Sequence, residues 1–237
     1  MSITSCTRRK PPDPMNLDTV LFDLDGTLLD TYQDMGAALN TLLAAHRRPA
    51  LPVDAIRPFV SKGAMVMVCR AFQCEPDSER AVTLWQEYLD EYARNLCVQT
   101  GLFDGMERVL EKIENGGMKW GIVTNKPGFL TEPLLSRLSL DAKAGCVISG
   151  DTLPQRKPHP APLRLACERL GTRCRHAVYI GDDERDIRAG KSAGMRTVAA
   201  AYGYLAADDH PGAWQADHIV RNPLEIIDWM DGLDNRS

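Results

Sequence analysis

No apolar run in this chain approaches the roughly 18–20 residues that span a bilayer, so no membrane partner is expected. A net positive charge is missing too. Against 32 acidic residues stand 28 basic ones, for a net charge of −4. Without a positive field, nucleic acid and anionic lipid are not expected as partners. No Cys-x-x-Cys pair occurs among the seven cysteines, Cys6, Cys69, Cys74, Cys97, Cys146, Cys167 and Cys174. Their number is odd, and a chain of 237 residues does not depend on disulfide staples, so reduced thiols in a cytoplasmic protein are the reading. None of the five histidines (His46, His159, His176, His210, His218) adjoins a cysteine as a structural zinc site would require. Internal repeats are absent.

What is present is close to average globular usage, with 44% hydrophobic and 25% charged residues. That length allows one or two domains. The opening MSITSCTRRKPPDP is polar and proline-rich, and residues 1–16 are expected to be a disordered N-terminal extension, or to precede a start at Met15. Arg8, Arg9 and Lys10 are too few to make it a convincing basic anchor. It has no apolar segment of signal-peptide length.

Val20-Leu21-Phe22 reads as a buried strand of a parallel sheet, stopping at Asp23-Leu24-Asp25-Gly26-Thr27. From about 31 to 100 the periodicity is helical. Met35, Leu39, Leu42, Leu43 and His46 mark one helix; Met67, Val68, Ala71 and Phe72 a second; Val82, Trp85, Leu89, Tyr92 and Leu96 a third. Beyond Gly101, strands and helices alternate. Strands are expected at Trp120–Val123, Cys146–Ile148, Ala177–Ile180, Thr197–Ala200 and Asp217–Val220, with helices between them and a last one over Leu224–Met230. The class is therefore α/β: a Rossmann-like core with a mostly parallel sheet, built from 17–30 and 101–237, and an inserted all-helical domain over 31–100.

In such a sheet ligands sit beyond the carboxyl ends of the strands. Those ends carry Asp23 and Asp25, then Thr124 and Asn125, then Asp182 with Asp183 and Asp186 behind it. Lys157 lies in the loop before the helix that leads to Asp182. Carboxylates crowded in one crevice repel each other and call for a hard divalent cation, Mg²⁺ by its preference for oxygen. Together with Lys157, such a cation would make room for a phosphate monoester. Asp23 can serve as a carboxylate nucleophile, and Asp25 can reach the leaving oxygen as general acid.

Asp23-Leu24-Asp25-Gly26-Thr27-Leu28-Leu29-Asp30 resembles the first motif of the haloacid dehalogenase-like superfamily. Thr124-Asn125, Lys157-Pro158 and Gly181-Asp182-Asp183-x-x-Asp186 resemble its second, third and fourth, in order. The resemblance runs from Leu17 to Met230. It implies that Asp23 attacks phosphorus, and that Asp25 protonates the leaving alcohol and then activates water. It implies Mg²⁺ on Asp23, the Asp25 carbonyl and Asp182, with Asp186 holding metal-bound water. Thr124, the amide of Asn125, and Lys157 would bind the phosphoryl group. Aspartate at position 25 separates the chain from haloacid dehalogenases and P-type ATPases. The helical insert resembles a C1 cap, and Ser61-Lys62-Gly63-Ala64 its specificity loop, where Lys62 would meet an acidic group and Gly63 would let the backbone approach.

Within the superfamily, Trp120–Pro127, Tyr202-Gly203-Tyr204, Asp209-x-Pro211 and Trp214-x-Ala216-Asp217 are similar to the phosphoglycolate phosphatase group. That group includes N-acetylmuramic acid 6-phosphate phosphatases of peptidoglycan recycling. The expected activity is Mg²⁺-dependent hydrolysis of N-acetylmuramate 6-phosphate or 2-phosphoglycolate by a monomer or weak homodimer. The rivals are a sugar-phosphate mutase of the β-phosphoglucomutase type and a catalytically silent interaction module. Other residues have plainer readings. Asp30 and Asp183 suit helix N-termini, Trp85 and Tyr92 a helical core, and His159 the ordering of a loop.

Overall fold

A computed structural model describes residues 17–234; the expected extension over 1–16 lies outside the described residues. The chain enters at β1 (Thr19–Phe22), whose four residues are all buried. After a tight turn comes the two-residue β2 (Leu29–Asp30). Helices α1 (Tyr32–Ala45), α2 (Val53–Ile56), α3 (Ala64–Phe72) and α4 (Glu79–Arg94) follow. The chain returns through β3 (Gly101–Leu102) and alternates through α5 (Met106–Asn115), β4 (Lys119–Val123), α6 (Gly128–Arg137), β5 (Val147–Ile148) and α7 (Ala161–Leu170). It closes with β6 (Ala177–Gly181), α8 (Glu184–Ala193), β7 (Arg196–Ala200), β8 (His218–Val220) and α9 (Glu225–Asp234).

Among the described residues, six strands form one sheet in the order β5-β4-β1-β6-β7-β8, and every pairing is parallel. The apolar runs of β1, β4 and β6 follow from burial on both faces. Side chains alternate between the two faces with the two-residue period of a strand. Val20, Phe22, Ile122, Val178 and Ile180 join the larger apolar cluster, which continues into α1–α6 and α9. Leu21, Val123 and Tyr179 join the opposite cluster with Leu163, Ala166 and Cys167 of α7.

Between Asp30 and Gly101 the described backbone holds helices and no strand. The buried stripe of α4 is Ala81, Leu84, Tyr88, Leu89 and Tyr92, while Val82, expected on that stripe, is 51% exposed. The apolar face is turned by about one residue from the sequence reading, and Trp85 is left half-buried at its border. The paired strands β2 and β3 (Leu29↔Leu102, Asp30↔Gly101) carry the chain into and out of the helical segment. Runs of two residues have no periodicity, and the sequence did not show them. Beside this ribbon the buried carboxylate of Asp34 accepts hydrogen bonds from the amides of Val98, Gln99 and Thr100 and from the Thr100 hydroxyl. One side chain of α1 thus satisfies the backbone donors of the return loop.

Asp30 does not cap α1. The Tyr204 hydroxyl accepts from the amides of Thr31 (2.5 Å) and Tyr32 (3.1 Å), satisfying helix-start donors, and itself donates to Asp30 Oδ1 (2.7 Å). Among the described residues no helix is long and apolar enough to cross a membrane, and Cys69, Cys74, Cys97, Cys146, Cys167 and Cys174 are free thiols.

Candidate active site

Strand register decides what meets at the carboxyl edge of the sheet. Phe22 lies opposite both Ile122 of β4 and Ile180 of β6. The first residues beyond the three strand ends therefore leave the same edge of the sheet: Asp23 after β1, Thr124 after β4 and Asp182 after β6. The Asp23 amide still donates to the Ile180 carbonyl (2.9 Å). Gly26, at φ +84°, and Gly203 pack against the Asp182 carboxylate so closely that a Cβ on either would overlap it.

Carboxylate oxygens of Asp23, Asp182 and Asp186 lie within 4.8 Å of one another, and all three residues are buried. Lys157, also buried, places Nζ 2.8 Å from Asp23 Oδ1 and 2.8 Å from Asp186 Oδ1, and donates to the Tyr179 hydroxyl (2.7 Å). Burial opposes the lysine charge, but Asp186 and Asp23 outweigh it and raise the pKa. One ammonium does not neutralise three carboxylates. Burial first, then the Asp23 and Asp186 charges, push Asp182 up to about 8, against hydrogen bonds from the Ser61 hydroxyl (2.6 Å) and the Tyr204 amide (2.8 Å). Burial also lifts Asp23 to about 6, with Lys157 pulling it back down.

Asp183, beside this trio, is the N-cap of α8 in a capping box closed by Asp186. Asp186 Oδ2 accepts from the Asp183 amide (3.1 Å), which turns its other oxygen to Lys157. The Thr124 side chain is buried, and its hydroxyl accepts from the Lys126 amide (3.1 Å). Asn125 clamps the loop of Lys157: Oδ1 accepts from the Lys157 amide and Nδ2 donates to the Lys157 carbonyl, both at 3.0 Å. His159 accepts from the amide of Ala161 (3.2 Å), ordering the same loop.

Above these residues opens a cavity of about 420 Å³, within the range of roughly 300–1,000 Å³ common for ligand pockets. Its floor carries Asp23, Asp25, Thr124, Asn125 and Lys157. Its roof comes from the helical segment and includes Lys62, Gly63, Trp85 and Tyr92. Tyr92 is thus both buried core and cavity wall, and Trp85 faces the cavity from the edge of the α4 stripe. Lys62 reaches the cavity, but its ammonium is engaged by Asp183 (3.0 Å) and Asp209 (2.7 Å). Gly63, at φ +100°, opens α3 with no atom within 4 Å of where a Cβ would stand. Sequence reasoning gave no role to Lys126, Arg156 or Arg185, which also line the cavity. Lys126 adjoins Thr124-Asn125 and Arg156 adjoins Lys157, so adjacency to those motifs was the available signal.

A doubly wound parallel sheet with an oxygen-rich, lysine-anchored crevice at its carboxyl edge defines a Rossmann-like α/β enzyme. The comparisons specify the class further. The haloacid dehalogenase-like hydrolase family model matches residues 20–200, and the chain belongs to that family. A phosphoglycolate phosphatase of Xanthomonas campestris is 45% identical over 207 residues, which cover 87% of this chain and 93% of that one. An N-acetylmuramic acid 6-phosphate phosphatase of Pseudomonas aeruginosa is 42% identical over 217 residues, covering 92% and 96%. A crystal structure described as a predicted phosphoglycolate phosphatase from Haemophilus somnus superposes with a TM-score of 0.79 at 26% identity, covering 90% and 98%. The chain is accordingly a phosphoric monoester hydrolase.

Proposed function

We propose that this protein hydrolyses a small acidic phosphomonoester through an aspartyl-phosphate on Asp23, with Mg²⁺ as cofactor, in the cytoplasm. One observation carries the reading: Lys157 bridges Asp23 and Asp186 beside a third buried carboxylate, at the floor of a cavity closed by the helical segment.

The donor set fits the cation. It is all oxygen, and burial together with the repulsion of Asp23 and Asp186 holds Asp182 protonated above the ordinary carboxylate range. Asp23, the Asp25 carbonyl and Asp182 would hold Mg²⁺, with Asp186 behind through water. When bound, it supplies positive charge beside the transferring phosphoryl group. Everything else falls to the chain. Lys157, Thr124 and the Asn125 amide grip phosphoryl oxygens. Asp23 attacks phosphorus as the ester bond breaks. Asp25 gives its proton to the departing oxygen, then takes one from the water that hydrolyses the aspartyl-phosphate. The segment over 31–100 acts as a cap that excludes bulk water.

Cavity size and lining favour N-acetylmuramate 6-phosphate over 2-phosphoglycolate. A two-carbon acid leaves most of 420 Å³ to water, whereas a sugar ring can lie against Trp85, Tyr88, Met65 and Leu130. The remaining carboxylate is matched by Arg156. Of the cavity-lining cations, Lys62, Lys126, Lys157 and Arg185 all face carboxylates, and no ion pair engages Arg156 among the described residues. With that substrate the protein would serve peptidoglycan recycling. Phosphate release from the two esters with Mg²⁺, at equal sub-saturating concentration, compares kcat/KM directly. A preference of about 100-fold or more for the sugar phosphate is expected; the reverse preference would replace the sugar with phosphoglycolate as substrate.

A pH signature follows from the same carboxylates. In the metal-free fold Asp182 keeps its proton to about pH 8 and Asp23 to about pH 6, while the ordinary value is 3.8. The folded state binds the extra protons. Stability from these groups is therefore full below about pH 4 and is lost as pH rises through 6 to 8. Asp23 and Asp182 would exchange those protons for Mg²⁺ on binding it. Thermal melts with and without it should show a larger rise in Tm at pH 8 than at pH 5.5, and an equal or smaller rise at pH 8 contradicts the assignment.

A further inference from the structure

Lys126 belongs to none of the four motifs, yet its side chain is buried and reaches the cavity. Nζ lies 2.9 Å from Asp25 Oδ1 and 3.2 Å from Oδ2, so both oxygens of one carboxylate face one ammonium. The same Nζ contacts the Tyr92 hydroxyl (3.1 Å) and stands 4.5 Å from the Tyr92 ring centroid. The base of the side chain is pinned as well. The Lys126 amide donates to Thr124 Oγ1 (3.1 Å), and its carbonyl accepts from the Gly150 amide (2.8 Å). Asp25 stands on the loop after β1, Lys126 on the loop after β4, and Tyr92 on α4 of the helical segment. Three parts of the chain that are remote in sequence therefore meet at one ammonium.

We infer that Lys126 is a positioning residue for Asp25, and that Tyr92 makes the aim of Asp25 depend on how the helical segment is seated. This rests on the proposed role of Asp25 as proton donor to the leaving alcohol. When Asp25 carries its proton, one oxygen still accepts from Lys126 and fixes the plane of the group, and the other holds the proton and passes it to the departing oxygen as the ester P–O bond breaks and the Asp23–phosphorus bond forms. When the helical segment moves away, the Tyr92 contact is lost, and Lys126 is left in a wetter site where it holds Asp25 less firmly. Proton transfer is thereby favoured while water is excluded.

A purely structural ion pair would affect all substrates alike; a positioning role for the acid affects only substrates whose leaving group needs a proton. The test compares kcat/KM with Mg²⁺ for 4-nitrophenyl phosphate, whose phenolate leaves unprotonated, and for N-acetylmuramate 6-phosphate and 2-phosphoglycolate, whose alkoxides do not. This parameter covers steps up to phosphoryl transfer onto Asp23, so slow hydrolysis of the intermediate does not mask the effect. Lys126→Met should lower kcat/KM for the alkyl esters by about 100-fold, the lower end of what a general acid supplies, and for the aryl ester by less than about fivefold. Lys126→Arg should recover part of the alkyl activity. In an Asp25→Asn background, Lys126→Met should no longer change the alkyl-to-aryl ratio. Tyr92→Phe, which keeps the ring, should shift the ratio the same way by a smaller factor, and decides the matter if Lys126→Met does not fold. Equal losses on both ester classes, or a ratio unmoved in Tyr92→Phe when that variant is the deciding one, overturn the inference while leaving the phosphatase reading intact. A wild-type protein that turns over none of these esters removes that reading and this inference with it.

Discussion

Replacing Asp23 by Asn is expected to cut phosphate release by about 10³-fold or more, while the protein melts at the same or a higher temperature. The activity loss follows from the proposed role of Asp23 as the phosphoryl acceptor, since removing a nucleophile disables the machinery that acts with it. The stability result has a separate cause. In the metal-free protein Asp23 is one of three buried carboxylates, and its charge helps push Asp182 up to about 8. An amide of the same shape keeps the packing and removes one repelling charge. A phosphate-release assay beside a thermal melt separates the two effects. Retained turnover would overturn the nucleophile assignment.

Lys157→Met should show the opposite pairing: activity is lost and so is stability. Its ammonium is buried and lies 2.8 Å from both Asp23 and Asp186. Taking one partner from a buried ion pair costs about 3–5 kcal/mol, because the remaining charges stay buried without compensation. For a chain of this size that corresponds to a fall in Tm of about 6–20 °C. The loss should be larger at pH 8 than at pH 5.5, since at the lower pH protons can take the place of the lysine charge. Arginine is a poor substitute, because the planar fork does not fit a site closed by the Tyr179 hydroxyl at 2.7 Å. Melts at both pH values check this, and a loss independent of pH contradicts the charge argument.

These two variants depend on residues that were legible before the structure. Asp23, Thr124 and Asp182 each follow a short apolar run, and a parallel sheet brings the ends of such runs together. Lys157 was legible only from the order of the motifs, since nothing in its own loop distinguishes it from a surface lysine. Register supplied what the sequence could not express. The distance from Lys157 to Asp186 depends on the capping box of α8, in which Asp186 turns one oxygen to the Asp183 amide and the other to the lysine.

Other parts were hidden for a physical reason. Lys126, Arg156 and Arg185 take their meaning from cavity walls built by remote segments, and a cation in a loop carries no periodic signal. Lys62 was noticed, but its partners Asp183 and Asp209 lie more than a hundred positions away. Tyr204 serves the start of α1 across an equally long separation, so Asp30 looked like the natural cap in its absence. On α4 the aromatic spacing correctly indicated a helix, yet a helix between an apolar core and a cavity shows the same pattern toward both. That is why Trp85 and Tyr92 read as core alone.

Locating the phosphoryl group during turnover is the most direct measurement. Protein mixed with a radiolabelled phosphomonoester and Mg²⁺, quenched in acid within the first turnover and digested, reports which residue carries the label. The account predicts a hydroxylamine-sensitive label on the peptide containing Asp23, absent from Asp23→Asn. Turnover with the label on another residue, or with no covalent label under conditions that trap acyl phosphates, would contradict it.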